Sequence, residues 1–169
     1  QLLGNLNDLG RLYERAEQYD KAEAQYQRAL KLWEAANKTE HPAVATLRAD
    51  LGSLLIAQKR FDEAGKQLQL ALQTREKILA ADHPLIADSL HRLGRLQAAQ
   101  GKPEEAIASF QRALAINEKN FGVSHEKLLP DLNALLASQR TLKKLPAVEA
   151  LQIRIVTLQE QRLGPSHPE

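Results

Sequence analysis

Apolar residues recur along this chain every three or four positions, and polar stretches interrupt them at intervals. From Val44 to Leu55 the apolar positions follow this spacing, stop at residues 58–60, and resume from Phe61 to Ile78. That spacing is typical of one face of an α-helix, and the period-two alternation of a half-buried strand is missing. The pattern predicts an all-α fold of antiparallel helix pairs joined by short turns.

The same pattern returns after 42 residues. Four of the five histidines keep this step, whereas His91 lies out of phase; the four are His41, His83, His125 and His167. A period of 20 to 50 residues is typical of stacked supersecondary units. We expect one array of four units, at residues 1–40, 41–82, 83–124 and 125–166. Because the chain starts with Gln, lacks Met and starts and stops at unit borders, we interpret it as part of a longer protein.

Helix-start signals accompany the repeat. Pro follows His at positions 42 and 84, which suits the first turn of a helix. We therefore predict that His-Pro marks the start of each unit, with the residue before His as a capping group; these are Glu40, Asp82 and Ser124. Acidic residues are expected to cap the second helices and meet their dipoles. They are Asp20, Asp62 and Glu104.

Small residues mark where the two helices of a unit are expected to approach closely, as at Gly10 and Ala22. The fourth unit has larger residues at the equivalent positions, Leu136 and Val148, and also Pro146 near the start of its second helix. We expect these changes to push its helices apart or to shift their crossing.

The repeated residues resemble the tetratricopeptide repeat (TPR) family. In the first unit the resemblance rests on Leu9, Gly10, Tyr13, Ala22, Tyr26 and Ala29. A 42-residue unit containing NLNDLGRLY at 5–13, FGVSHE at 121–126 or LGPSHP at 163–168 is similar to the repeats of kinesin light chains. The resemblance implies a right-handed α-solenoid, and it implies that first helices of successive units line a concave groove for a peptide or helix of a partner.

Composition excludes several functions. With 23 Lys and Arg against 21 Asp and Glu, the net charge of +2 is too small for a nucleic-acid surface. There is no cysteine, so disulfides and thiol chemistry are excluded. No apolar run is long enough to span a membrane, and no signal peptide is visible, so we expect a cytoplasmic protein without membrane contact.

No catalytic or cofactor motif is present, and histidines 42 residues apart cannot share one metal ion. We therefore expect neither an enzyme nor a cofactor. The expected function is a scaffold that binds a protein or peptide. Two alternatives stay open: self-association through the larger apolar residues of the fourth unit, and a regulatory arm of a larger enzyme or signalling protein.

Register with the TPR family assigns candidate groove residues. They are Asn7, Asp8, Arg11, Arg15, Asp50, Ser53, Asp88, His91, Arg92, Arg95 and Asn133. In the third unit, His91, Arg92 and Arg95 share one helix face and could hold an acidic motif of a partner. The alternative is that Arg92 and Arg95 form ion pairs with Asp50 and Asp88 across neighbouring units and only keep the groove soluble.

Overall fold

The computed structural model describes residues 2–36 and 38–163. This part of the chain forms eight α-helices and one short 3-10 helix, and it contains no strand. The helices are α1 (Leu2–Arg15), α2 (Tyr19–Ala35), α3 (Pro42–Ala57), α4 (Phe61–Ile78), α5 (Pro84–Ala99), α6 (Pro103–Phe121), the 3-10 helix (Glu126–Leu128), α7 (Leu129–Thr141) and α8 (Leu145–Leu163). The predicted all-α fold is confirmed. His167 and Pro168, which belong to the predicted His-Pro signal, lie outside the described residues.

The chain divides into two compact halves, residues 1–80 (the first unit) and residues 81–169 (the second unit), and each of them spans two of the predicted 42-residue repeats. In the first unit, α1 packs on α2 and α3 packs on α4. Gly10 faces the buried ring of Tyr26, and a Cβ added there would lie 2.4 Å from the ring. At Gly52 a Cβ would lie 2.6 Å from Leu68. The predicted role of these small residues in close helix approach is therefore confirmed.

In the second unit, α5 packs on α6 and α7 packs on α8. Gly94 lies against Phe110, where a Cβ would come within 2.6 Å of the ring. The apolar core includes Phe110, Leu128, Leu132, Leu135, Ile155 and Leu158. Leu136 packs against this core and Val148 is buried. The larger residues near the end of the chain thus fill the space between their helices, and a shift in helix crossing stays a prediction.

The turn inside each helix pair has the same backbone geometry. One residue takes a positive φ in each turn, and these residues are 42 positions apart: Glu17 (56°), Lys59 (60°), Gly101 (74°) and Lys143 (55°). The next backbone N–H then bonds to the carbonyl five residues back, as in Gln18 to Tyr13 (2.8 Å) and Arg60 to Leu55 (2.9 Å). This is the Schellman arrangement that satisfies the last carbonyls of a helix.

Each described histidine that keeps the 42-residue step caps the helix that follows it. The Nδ1 atoms of His41, His83 and His125 accept hydrogen bonds from backbone N–H groups two residues ahead, each at 3.1 Å. The prediction that the residue before His provides the cap is wrong, because the imidazole itself reaches the free N–H. The preceding acids pair with lysines instead, and the Lys119 ammonium lowers the pKa of Asp82.

Helices α2, α4 and α6 have no side-chain cap of this kind. The N-cap residues Gln18, Arg60 and Lys102 make no side-chain hydrogen bond to the helix. The acidic residues predicted as caps lie in the first turn, one position inside each helix; they are Asp20, Asp62 and Glu104. Their position supports the predicted interaction with the helix dipole rather than a role as N-cap.

Candidate functional site

In the first unit, helices α1 and α3 bring two predicted groove residues together. Arg11 donates from Nε and Nη2 to Oδ2 of Asp50, at 3.0 and 2.9 Å. Asp50 is 5% exposed, and its carboxylate raises the pKa of Arg11. Because the carboxylate is buried, this pair holds the Arg11 side chain in place across the two helices.

The other predicted residues of the first unit differ in exposure. Asp8 and Arg15 are exposed on α1, and Ser53 is partly buried on α3. In the same unit, buried Tyr26 donates its hydroxyl to Oε2 of Glu14 at 3.0 Å. Burial and the Glu14 carboxylate both raise the pKa of Tyr26. Of the predicted groove residues on α1, Arg15 is thus an exposed cation, whereas Arg11 is paired with Asp50.

Asn7 lines a cavity of about 210 Å³ in the first unit. The cavity lies between α1, α2 and α3, and Trp33 and Leu47 form part of its wall. Nε1 of Trp33 and Oδ1 of Asn7 are buried and have no hydrogen-bond partner in the described part of the chain. An apolar wall thus surrounds two unsatisfied polar atoms.

In the second unit, three side chains from three helices meet. Nδ1 of His91 on α5 lies 2.6 Å from Oδ1 of Asp131 on α7. Asn117 on α6 donates from Nδ2 to Oδ2 of the same carboxylate at 2.7 Å. Asp131 is only 2% exposed. Since a carboxylate accepts hydrogen bonds, the buried carboxylate fixes both neighbouring side chains.

The remaining groove residues of the second unit are partly engaged. Nε of Arg92 donates to both oxygens of Asp88 at 3.0 and 3.1 Å, one turn apart on α5. Asn133 donates from Nδ2 to the backbone carbonyl of Leu129 at 2.8 Å. Arg95 is exposed and has no hydrogen bond or ion pair among residues 2–36 and 38–163.

These contacts bear on the two interpretations of the stripe that Asp88, His91, Arg92 and Arg95 form on α5. Arg92 forms an ion pair within its own helix, and Asp50 is bound by Arg11. His91 forms a hydrogen bond with the buried carboxylate of Asp131, so only part of its ring is available beside the arginines. Within this stripe, Arg95 is the cation that forms no hydrogen bond or ion pair with another described residue. The structure is therefore compatible with both interpretations: Arg92 forms an ion pair within the protein, and Arg95 is available to a binding partner.

A second cavity, of about 270 Å³, lies beside His91. Its polar lining residues are Asp88, His91, Asn117, Lys127 and Asp131, and Phe121 contributes a ring. The Nζ atom of Lys127 stands 4.2 Å above the centroid of that ring. The cavity therefore combines a buried carboxylate, open polar atoms and an aromatic wall.

Sequence reasoning missed Asn117 and Lys127 because they lie outside the first helices, and it missed Asp131 because this residue lies outside the groove positions assigned on α7. The repeat itself gave no consistent signal. The position of Asp131 holds Asn5, Leu47 and Ser89 in the earlier repeats, and the position of Asn117 holds Trp33 and Arg75. The structure shows why Asp131 can be buried, since its carboxylate has His91 and Asn117 as hydrogen-bond partners.

Neither a metal centre nor a membrane span emerges from the described residues. No group of three or more His, Asp or Glu side chains there is arranged to hold a metal ion. None of the helices within those residues is long and apolar enough to cross a membrane.

A family comparison decides what kind of chain this is. The sequence model of the tetratricopeptide repeat matches residues 2–64 and 46–119. The chain belongs to the tetratricopeptide repeat family. The predicted TPR resemblance is thus confirmed, and TPR folds typically serve as non-catalytic scaffolds for protein interaction. No curated protein matches the sequence.

Solved structures show the same TPR fold. BtubC (BKLC) from P. vanneervenii is 25% identical, with a TM-score of 0.87 over 99% of this chain and 66% of that one. A putative kinesin light chain from Podosopora anserina with nearly identical TPR-like repeats is 23% identical, with a TM-score of 0.86 over 98% of this chain and 79% of that one. The chain therefore spans about two thirds of the BtubC length and has the kinesin-light-chain-like form of the TPR fold.

A third solved structure has the same fold at lower sequence identity. A Rap protein in complex with competence and sporulation factor is 16% identical, with a TM-score of 0.80 over 90% of this chain and 41% of that one. At this identity the similarity concerns the TPR fold alone.

Proposed function

We propose that this TPR chain binds a peptide or helical segment of a partner protein along the groove face of its first helices. The observation that carries the proposal is Arg95, an exposed cation without a partner in the described part of the chain. It lies one turn from His91 on α5. An arginine in this state can form a bidentate pair with a carboxylate of the partner.

The side chains next to Arg95 support an acidic contact there. Asp88 is already bound by Arg92, so the nearest described carboxylate on α5 has its own cation. A partner carboxylate would then meet Arg95 with little competition from this helix. The Rap structure offers a precedent for complex formation on the same fold.

A charge reversal tests the groove. We expect Arg95→Glu to weaken the binding of peptides selected from a random 12-residue library by about tenfold, because an attractive contact becomes a repulsive one. The matched control is Arg28→Glu, an equal charge change at an exposed arginine of α2 without a described partner. Affinities are measured by fluorescence anisotropy, and helix content by circular dichroism.

The control separates site from charge. Equal losses in both variants would show that the overall charge, and not the groove face, determines binding. A library from which the wild-type chain selects no peptide would count against peptide recognition altogether.

Self-association through α8 is a second candidate, favoured by one specific feature. Ile153 is 61% exposed, at a position where the earlier repeats carry Gln27, Gln69 and Gln111. Val156, one turn away, is also exposed. Together they form an apolar patch on α8 that could meet the same patch of a second copy.

Sedimentation equilibrium tests this candidate. We expect the mass to rise with concentration for the wild-type chain and to stay at 18.8 kDa for Ile153→Gln, which restores the glutamine of the other repeats. A wild-type chain that stays monomeric at millimolar concentration would exclude the patch as a dimer contact.

A further inference from the structure

We propose that the cavity beside His91 binds a basic side chain of the partner, with arginine as the preferred residue. The inference rests on the proposed function, since the side chain would come from a segment lying on the groove face. It goes beyond that proposal by assigning a ligand chemistry opposite to the one expected at Arg95.

The hydrogen bond to Asp131 determines what His91 offers. Nδ1 lies 2.6 Å from the buried carboxylate and donates to it, because the carboxylate can only accept. In the neutral imidazole the other nitrogen, Nε2, is then an acceptor. No described residue forms a hydrogen bond with Nε2, and Nε2 is not one of the buried polar atoms that lack a hydrogen-bond partner. In that neutral form, Nε2 presents an acceptor to an incoming group.

Asn117 adds a second acceptor. Its Nδ2 donates to Asp131, which fixes the orientation of the amide. The Oδ1 atom has no described partner and is not buried, so it can also accept. Two acceptors beside a buried carboxylate match the several N–H donors of a guanidinium.

The wall and size of the cavity fit a long side chain. Phe121, Pro84 and Ala87 line it with apolar surface, against which the aliphatic stem of arginine can pack. Its volume of about 270 Å³ is smaller than a typical small-molecule pocket and is suited to one side chain.

Lys127 is the one lining residue that opposes this assignment. It is exposed, and its ammonium stands over Phe121. A carboxylate ligand would depend on Lys127, whereas an arginine ligand would be repelled by it. The sign of the effect of removing Lys127 thus distinguishes the two ligand classes.

The cavity of the first unit has a different lining at the equivalent repeat positions. Asn7, Trp33 and Leu47 stand 84 positions before His91, Asn117 and Asp131, and they line a cavity between three helices without carrying a charge. In the intervening repeat the equivalent residues are Ala49, buried Arg75 and buried Ser89. Of the two cavities, the one beside His91 has the buried carboxylate, and this makes it the one suited to a basic ligand.

The test uses N-acetyl-L-arginine amide as the probe and the 169-residue chain as the receptor. Binding is followed by NMR at the His91 ring and the Asn117 side-chain amide. We expect saturable shifts with the arginine probe, about fivefold weaker affinity for the neutral isostere N-acetyl-citrulline amide, and none for the glutamate analogue. Lys127→Ala should strengthen arginine binding.

Two further variants make the outcome specific. Asp131→Asn should weaken the arginine probe about fivefold, whereas Asp82→Asn removes an equal charge in the same unit, outside the cavity lining, and should leave it unchanged. His91→Leu covers the case that Asp131→Asn does not fold. It should lose the probe as well, because the acceptor at Nε2 is gone.

The proposal would be overturned if the glutamate analogue bound better than the arginine probe, if no probe shifted either side chain, or if Lys127→Ala weakened arginine binding. These results are independent of the library experiment. Peptides that depend on Arg95 but carry no basic residue would leave the groove function standing and remove the cavity assignment. An arginine probe that binds while no peptide is selected would do the reverse.

Discussion

Gly94→Ala is expected to destabilise the chain by about 1–3 kcal/mol, although glycine to alanine in a helix ordinarily stabilises it. The added Cβ would lie 2.6 Å from the ring of Phe110, which is itself buried in the core. Neither the ring nor helix α5 can give way without moving its neighbours. Urea unfolding followed by circular dichroism measures the loss.

Gly4→Ala is the matched control. Gly4 lies in α1, and a Cβ built there meets nothing within 4 Å. Its replacement should be neutral or should stabilise by up to about 1 kcal/mol. If Gly94→Ala were also stabilising, close packing of α5 on α6 would not be the reason for the glycine.

This glycine also shows how much of the fold the sequence determines. Gly10, Gly52 and Gly94 share one place in the 42-residue step, and the residues opposite them are large. Helix type, pairing and close approach all follow from that register, because each repeat must bury the same face. The all-α fold and the TPR family could therefore be predicted before any coordinates.

The candidate site was less accessible to prediction. The first-helix stripes located Arg11, Asp50 and His91, but the spacing of one helix cannot reveal a partner on another. Asp131 comes from a different repeat, and Asn117 from the second helix of the pair. Only the packing of three helices brings them together. The equivalent positions of the earlier repeats hold Asn5, Leu47 and Ser89, so Asp131 does not depart from a uniformly apolar position.

The capping residues illustrate a different limit. The sequence located the helix starts correctly, since α3 and α5 begin at Pro42 and Pro84. It did not identify the capping atom. Acidic or hydroxyl side chains stand directly before each histidine and are the commoner caps, so propensity favoured them. The backbone geometry instead puts the histidine at the N-cap position, where Nδ1 meets the N–H two residues ahead.

Replacing all three described capping histidines by alanine should cost about 1.5–6 kcal/mol, if each lost cap contributes about 0.5–2 kcal/mol and the sites act independently. Each Nδ1 satisfies one backbone N–H at 3.1 Å, and alanine leaves that donor without a protein partner. Urea denaturation of the triple variant measures the change.

The matching triple asparagine variant separates capping from ring packing. His41 stacks on Trp33 with ring centroids 4.4 Å apart, and His125 lies near Phe121, so alanine also removes these contacts. Asparagine loses the rings but keeps a good cap acceptor, and it should recover most of the stability lost at His83. If the asparagine and alanine variants were equally unstable, aromatic packing rather than the hydrogen bond would account for the recurrence of histidine. If asparagine restores stability, the hydrogen bond at the helix start accounts for the recurrence of histidine at the 42-residue step.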